Sequence, residues 1–262
     1  MYINIEFTGK KITKEIRMDY KEVYEIIKSK LENKEAFSLV RIGDGEHMVL
    51  SHIGRKYVMR RQFGYVPSFD DMNKITGCVY EAYINANIIG IPTKHHIENC
   101  GSSWAQAYSY LEKMKPEVKD IQKCSIDIHS ELLDSGLLHK LIESRDELVY
   151  ISGRNLDEAF KRVFNVTVTS FIVSAEQLFE KEKSVSHYPD QFEECKKWIA
   201  STDVKGKLCL TGCGVLGKYY ASLLKKQGGI VIDIGHVFDL WAGRTTRGKD
   251  KGVDKHNTIC KL

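Results

Sequence analysis

Apolar runs recur along the chain at intervals that fit strands separated by helices. The N-terminal residues 1–7 alternate apolar and polar positions, as a half-buried strand does. Asp19 then offers an N-cap, Glu22 stands where it closes a capping box, and Val23, Tyr24, Ile27 and Leu31 follow at helical spacing. The pattern predicts an amphipathic helix running into a strand over 37–42. Short runs nearly free of polar residues come next, at 87–91, 147–151, 166–173, 207–210 and 229–232. Helical patterns lie between most of them, at 130–142, 191–199 and 216–224.

Strands that are continuously apolar, rather than alternating, are buried on both faces, which is the habit of parallel strands joined by helices. The expected fold is therefore α/β: a mostly parallel sheet with helices on both faces, Rossmann-like, in a single domain over 1–262, in one lobe or two. Four prolines and no Ser/Gly-rich tract give no sign of a linker, and no internal repeat is visible. At 262 residues, 42% hydrophobic and 28% charged, the chain can bury a substantial core.

Charge and cysteine usage narrow the function classes. A net charge of +4 argues against nucleic acid as a partner, although 244–251 concentrates positive charge beyond the last apolar pattern. Such a basic tail, about 244–262, is usually a solvated terminus. It also leaves open contact with an anionic substrate, an anionic membrane surface or partner proteins in a complex. Seven cysteines, at 78, 100, 124, 195, 209, 213 and 260, show neither CxxC pairs nor metal-ligand spacing with histidine, so reduced thiols are expected. No apolar run approaches the ~20 residues that cross a bilayer and no signal sequence is visible, so the expected location is the cytoplasm.

In open parallel sheets, ligands bind beyond the carboxyl ends of the strands, where the polar signatures of this chain fall. Asp44-Gly45-Glu46 follows the strand at 37–42. Two hard carboxylates at that spacing can turn toward one Mg²⁺ or Mn²⁺, which fills its other positions with water and phosphate oxygens. The plainer alternative is that Asp44 caps a helix beginning near Glu46, whose charge the helix dipole favours. Gly212-Cys213-Gly214-Val215-Leu216-Gly217 fits GxGxxG between a strand and a helix, and Asp233 ends the next strand. Glycines there let backbone amides approach a phosphate at a helix N-terminus, in a nucleotide sugar as well as in NAD; a tight packing turn is the alternative. Asp233 with His236, Asp127 after a weaker strand signal, and Arg154 after the strand at 147–151 complete the candidates. Single histidines are more often structural, and an arginine such as Arg154 more often sits in an exposed ion pair. His95 and His96 read as loop surface, because adjacent side chains diverge.

With Arg41-Ile42-Gly43-Asp44-Gly45-Glu46 early in the chain, and Gly212-Cys213-Gly214 then Asp233-Ile234-Gly235-His236 late, the sequence resembles the GT-D-type glycosyltransferases. These look like bacterial enzymes that extend glycans on surface glycoproteins or polysaccharides. The resemblance spans about 37–240 and implies the GT-D fold. It implies a hexosyltransferase that moves a sugar from a nucleoside-diphosphate sugar, a UDP-sugar first among them, to a hydroxyl of a glycan acceptor. It further implies that Asp44 and Glu46 form the DxE motif that holds Mn²⁺ or Mg²⁺ and the diphosphate. Arg41, Gly43, Gly45, Arg154, Gly212, Gly214, Asp233 and His236 are the candidates for donor contact. The family's late loop is often Gly-Ala-Gly, and Gly-Cys-Gly here keeps the backbone geometry. The general base is not assigned; Asp233 and Asp127 are candidates by position alone.

Two other classes compete. An NAD(P)-dependent Rossmann oxidoreductase would use GxGxxG with Asp233, but leaves Asp44 and Glu46 unexplained and has its glycine motif late in the chain. A non-catalytic nucleotide-binding protein would need the loops only as turns and Asp44 only as a cap.

Overall fold

The computed structural model describes residues 17–43, 45–50, 56–174 and 185–244. The expected strand at 1–7, Asp44 and the tail beyond Arg244 lie outside the described residues.

Helix α1 (Tyr20–Asn33) begins as its sequence predicts: the Asp19 carboxylate accepts from the amides of Lys21 and Glu22 at 2.8 and 2.9 Å, and Glu22 accepts from the Asp19 amide at 2.8 Å. Such a cap contributes roughly 0.5–2 kcal/mol. The chain then enters β1 (Phe37–Arg41), and α2 (Glu46–Leu50), α3 (Lys56–Phe63) and α4 (Phe69–Ile84) lead to β2 (Ile88–Ile91). Helices α5 (Lys94–Asn99), α6 (Ser102–Lys113) and α7 (Lys115–Val118) precede β3 (Gln122–Ser125), and α8 (Ile128–Asp134) and α9 (Leu137–Glu143) precede β4 (Glu147–Ser152). Helix α10 (Asp157–Phe164) joins β4 to β5 (Thr167–Ile172), α11 (Asp190–Ser201) precedes β6 (Leu208–Gly212), and α12 (Leu216–Lys226) connects it to β7 (Ile230–Asp233), before α13 (Val237–Trp241).

Among the described residues, seven strands form one parallel sheet in the order β3-β2-β1-β7-β6-β4-β5. Successive strand residues supply two cores. Val40, Ile89, Val149, Ile151, Cys209 and Val231 pack with α4, α11 and α12, while Leu39, Ile88, Leu148, Tyr150, Leu208, Leu210 and Ile232 pack with α1, α8, α10 and α13. Burial on both faces explains why these strands read as unbroken apolar runs.

Two details depart from the sequence pattern. The helical run at 130–142 is two helices, because Gly136 adopts φ +73° and ends the first of them. Strand β3 carries no apolar run: it is an edge strand of which only Cys124 is buried.

The site is positioned by where the connections part. After β1 the chain turns to the face of α4 and α12, and after its neighbour β7 it turns to the opposite face. Adjacent strands whose loops diverge open a crevice at their carboxyl ends. Register brings the walls level, with Thr211 beside Asp233 and Ser152 beside Gly212.

Candidate functional site

A cleft of about 390 Å³ occupies this crevice. Arg41, Gly43, Gly45, Glu46, Arg154, Gly212, Gly214 and His236 all line it. Asp233 lies directly beneath, and Asp44 lies outside the described residues.

Arg41 ends β1 and is almost buried. Its Nε donates to the Asp233 carbonyl at 3.0 Å, Nη2 to Asp233 Oδ1 at 3.4 Å, and Nη1 to the Ile126 carbonyl at 3.3 Å. Two glycines make room for it. A Cβ on Gly235 would stand 2.1 Å from Arg41 Nη2, and one on Gly90, its register partner, 2.8 Å from Arg41 Cγ. Gly235 also holds φ +51°, a conformation that glycine adopts without penalty.

Lys218, in the first turn of α12, is the buried cation opposite. Its Nζ stands 2.7 Å from Glu46 Oε1 and 3.3 Å from Asp233 Oδ2, and it donates to the Gly214 carbonyl at 3.3 Å. The approach to Asp233 Oδ2 is an ion pair without hydrogen-bond geometry, since that oxygen makes no hydrogen bond. Burial alone pushes the Lys218 pKa down, but Asp233 and Glu46 hold it above the ordinary lysine range. For Asp233, burial pushes upward and Arg41 and Lys218 outweigh it, so the carboxylate titrates below its usual range. Glu46, Lys218, Asp233 and Arg41 thus form a buried chain of alternating charge with no net charge.

This arrangement corrects two sequence-based expectations. Asp233 is neither an available base nor a ribose ligand of the dinucleotide kind, because Lys218 and Arg41 occupy its oxygens and depress its basicity. His96 is not loop surface. It lies in α5, lines the cleft and contacts Asp127 and Trp104.

Beside Arg41, His129 Nδ1 lies 2.9 Å from Nη1, and His129 Nε2 lies 3.1 Å from His236 Nδ1. Arg41 Nη1 also lies 3.2 Å from His129 Nε2, so Arg41, His129 and His236 form a continuous polar contact into the cleft. Arg154, only 7% exposed, donates from Nε to Asp239 Oδ1 at 2.7 Å, so it is a buried cation of the wall, not a surface ion pair.

The glycines of the late loop divide their work. A Cβ on Gly212 would meet Phe238 Cδ2 at 2.3 Å and the Gly235 carbonyl at 2.6 Å, which makes Gly212 a packing glycine. Gly214 has φ +65° with nothing within 4 Å of a Cβ, so its backbone turns toward the open cleft at the start of α12. Burial pushes the thiol of Cys213 up to about 12, away from thiolate chemistry. Gly214→Ala is expected to cost only the strain of a left-handed residue, about 1–2 kcal/mol. Gly235→Ala also expels the Arg41 guanidinium from Asp233, and its expected cost is about 3–5 kcal/mol, that of breaking a buried pair. Urea unfolding of the two variants checks this. Equal losses would mean that Arg41 relocates freely.

Lys218 is the residue that sequence reasoning passed over, since a lysine in an amphipathic helix reads as solvent-facing. Its signal was positional: it directly follows the last glycine of GxGxxG. Among the described residues no group of three or more His, Cys, Asp or Glu side chains could hold a metal ion. Glu46 places Oε1 on Lys218, and Oε2 lies on the side of Gly43, 2.9 Å from where a Gly43 Cβ would stand.

A family model described as a GT-D fold-like domain matches residues 18–241. A structure of domain of unknown function 1792, described as having a distinct glycosyltransferase fold, superposes with a TM-score of 0.53 at 14% identity, covering 93% of this chain and 88% of its own. The selenomethionine-substituted structure of that domain gives the same values. A glycosyltransferase of the same domain from Streptococcus sanguinis aligns with a TM-score of 0.48 at 17% identity, over 88% of this chain and 90% of its own. No curated protein matches the sequence.

Proposed function

We propose that this chain, which belongs to the GT-D-like family, is a metal-dependent glycosyltransferase that moves a sugar from a nucleoside-diphosphate sugar, a UDP-sugar first among them, to a hydroxyl of a glycan acceptor. The observation that carries the proposal is the Gly214 turn, open to the cleft at the N-terminus of α12, with Lys218 one turn below and paired to Glu46. Backbone amides at a helix start favour phosphate, and Lys218, neutralised by Glu46 and Asp233, keeps those carboxylates from repelling it. Arg154 and the His129–His236 pair add donors to the same cleft.

The donor set suits Mg²⁺ or Mn²⁺ shared with a diphosphate. Such an ion takes one or two carboxylates and fills its remaining positions with phosphate oxygens and waters. Glu46, through the oxygen that Lys218 does not hold, would be one ligand, and Asp44 by its place in the sequence the other. When bound, the ion supplies Lewis-acid neutralisation of the departing diphosphate. Lys218 fixes the Glu46 carboxyl in place, the Gly214 turn gives the phosphates close approach to the backbone, and Arg41 keeps Asp233 from adding an uncompensated negative charge. The engagement of Asp233 with Arg41 and Lys218 disfavours the NAD(P) oxidoreductase, which needs that acid for the ribose.

A surface glycoprotein or polysaccharide as acceptor and a cytoplasmic location belong to the same proposal. No helix among the described residues is long and apolar enough to cross a membrane.

Melting curves with UDP- and GDP-sugars, in Mn²⁺ and in EDTA, and with NAD(H), test the reading. Ligand at 100 times its dissociation constant stabilises by about 2.7 kcal/mol. A shift with one nucleotide sugar that EDTA removes is expected. Equal shifts in EDTA and Mn²⁺ would eliminate the metal role, and a shift with NAD(H) alone would reinstate the oxidoreductase.

A further inference from the structure

We infer that His96, Trp104 and Asp127 form the subsite for the acceptor sugar, with Asp127 as the base that takes the proton of its attacking hydroxyl. The inference rests on the glycosyltransferase reading above and extends it to a part of the cleft that the reading does not use.

The cleft has two ends. The glycine turn follows β6, whereas His96 and Asp127 follow β2 and β3, three and four strands away in the sheet order. At ~4.8 Å per strand they lie roughly 14–19 Å from the glycine turn but only ~5–10 Å from the end of β1, where Glu46 stands, so a donor that runs from the turn to Glu46 brings its anomeric carbon within reach of a second substrate at the far end.

The chemistry at the far end differs from that of the rest. Glu46, Asp233 and Asp239 are each held by a lysine or an arginine, which suits charge neutralisation and engages an oxygen that a base would use. Asp127 is 46% exposed at its side chain, and its ion-pair partner among the described residues is an imidazole, with His96 Nε2 at 3.4 Å from Oδ1. Thr93, which caps α5, places its Oγ1 2.7 Å from His96 Nδ1. With the Thr93 hydroxyl donating to Nδ1, Nε2 faces the Asp127 carboxylate at ion-pair distance without a formed hydrogen bond, leaving Oδ2 for an incoming hydroxyl. His96 is a positioning residue.

Trp104 supplies the platform. Its ring centroid lies 4.7 Å from that of His96, and it lines the cleft at the mouth of the same pocket. An indole with a polar rim suits the mixed surface of a pyranose, whose C–H face packs on the ring while its hydroxyls reach the carboxylate.

In the transfer step the acceptor hydroxyl gives its proton to Asp127 as its oxygen bonds the anomeric carbon. The bond from that carbon to the diphosphate oxygen breaks, and its electron pair leaves with the nucleoside diphosphate. A single displacement of this kind inverts the anomeric configuration.

The test uses p-nitrophenyl glycosides of glucose, galactose and N-acetylglucosamine as acceptor probes, with UDP and Mn²⁺ present for binding and UDP-sugars for turnover. Saturation-transfer NMR is expected to show at least one glycoside bound to the wild type, with loss of that signal in Trp104→Ala and its return in Trp104→Phe. Asp127→Asn should lower transfer at least 100-fold while the UDP dissociation constant stays within twofold. His96→Gln should lower kcat with acceptor KM nearly unchanged. Failure of all three glycosides to bind the wild type while UDP binds, or an Asp127→Asn variant that keeps transfer, would overturn the inference and leave the donor site standing. If UDP itself fails to bind, the donor reading falls and takes this inference with it.

Discussion

Lys218→Met is expected to destabilise the fold by about 3–5 kcal/mol, the cost of removing one partner from a buried ion pair, and to abolish donor binding. Methionine fills nearly the same volume, so a cavity contributes little and the loss is electrostatic. Asp233 keeps Arg41 as a counter-ion, but Glu46, 3% exposed, loses the cation 2.7 Å from its Oε1. Urea unfolding gives the stability and calorimetric titration with UDP and Mn²⁺ the binding. The double variant Lys218→Met/Glu46→Gln separates the two roles: removing both charges should restore most of the stability, whereas donor binding should stay lost. A double variant that regains donor binding would show that Lys218 serves the fold alone.

Glu46→Gln is expected to lower turnover by about two orders of magnitude or more, with a far smaller loss of stability. Glutamine keeps the volume and an oxygen able to accept from Lys218 Nζ, and the cation retains Asp233 at 3.3 Å. A dipole interaction with α2, whose first residue is Glu46, is worth only ~0.3–1 kcal/mol, and a five-residue helix puts it at the lower end. The amide oxygen is, however, a weaker ligand for a hard cation, so the Mn²⁺ concentration giving half-maximal turnover should rise. Turnover close to wild type would show that the Glu46 carboxylate serves Lys218 and not a metal.

Much of the architecture can be read from hydrophobic pattern, because strands buried on both faces must be apolar at every position. Residues 147–151 and 229–232 announce themselves in that way, and the loops that follow them hold Arg154 and His236. Strand β3 left only a weak signal because an edge strand with the sequence Gln-Lys-Cys-Ser gains its place from pairing with β2, not from burial. Within the site, the glycine turn and Glu46 were legible from local motifs. Lys218 and the His96–Asp127 pair were not, because their meaning depends on partners 172 and 31 residues away that only the sheet order brings close. Even Gly90 and Gly235 look like ordinary glycines until Arg41 is seen to pass between them.

The position of β1 bears on how the molecule is made. It is an interior strand, third of seven in sheet order, but the neighbour that completes it, β7, is the last described strand to be synthesised, and Arg41 meets Asp233 across 192 residues. At ~5–20 residues per second, a nascent chain carries one edge of this interior strand unpaired for roughly 10–40 s. During that interval Phe37, Leu39 and Val40 present an apolar ribbon with open backbone groups, the kind of surface that recruits chaperones or other nascent chains. The cleft therefore cannot form in stages: its charge chain closes only when β7 docks, so each molecule released from the ribosome is inactive until its last strand is in place.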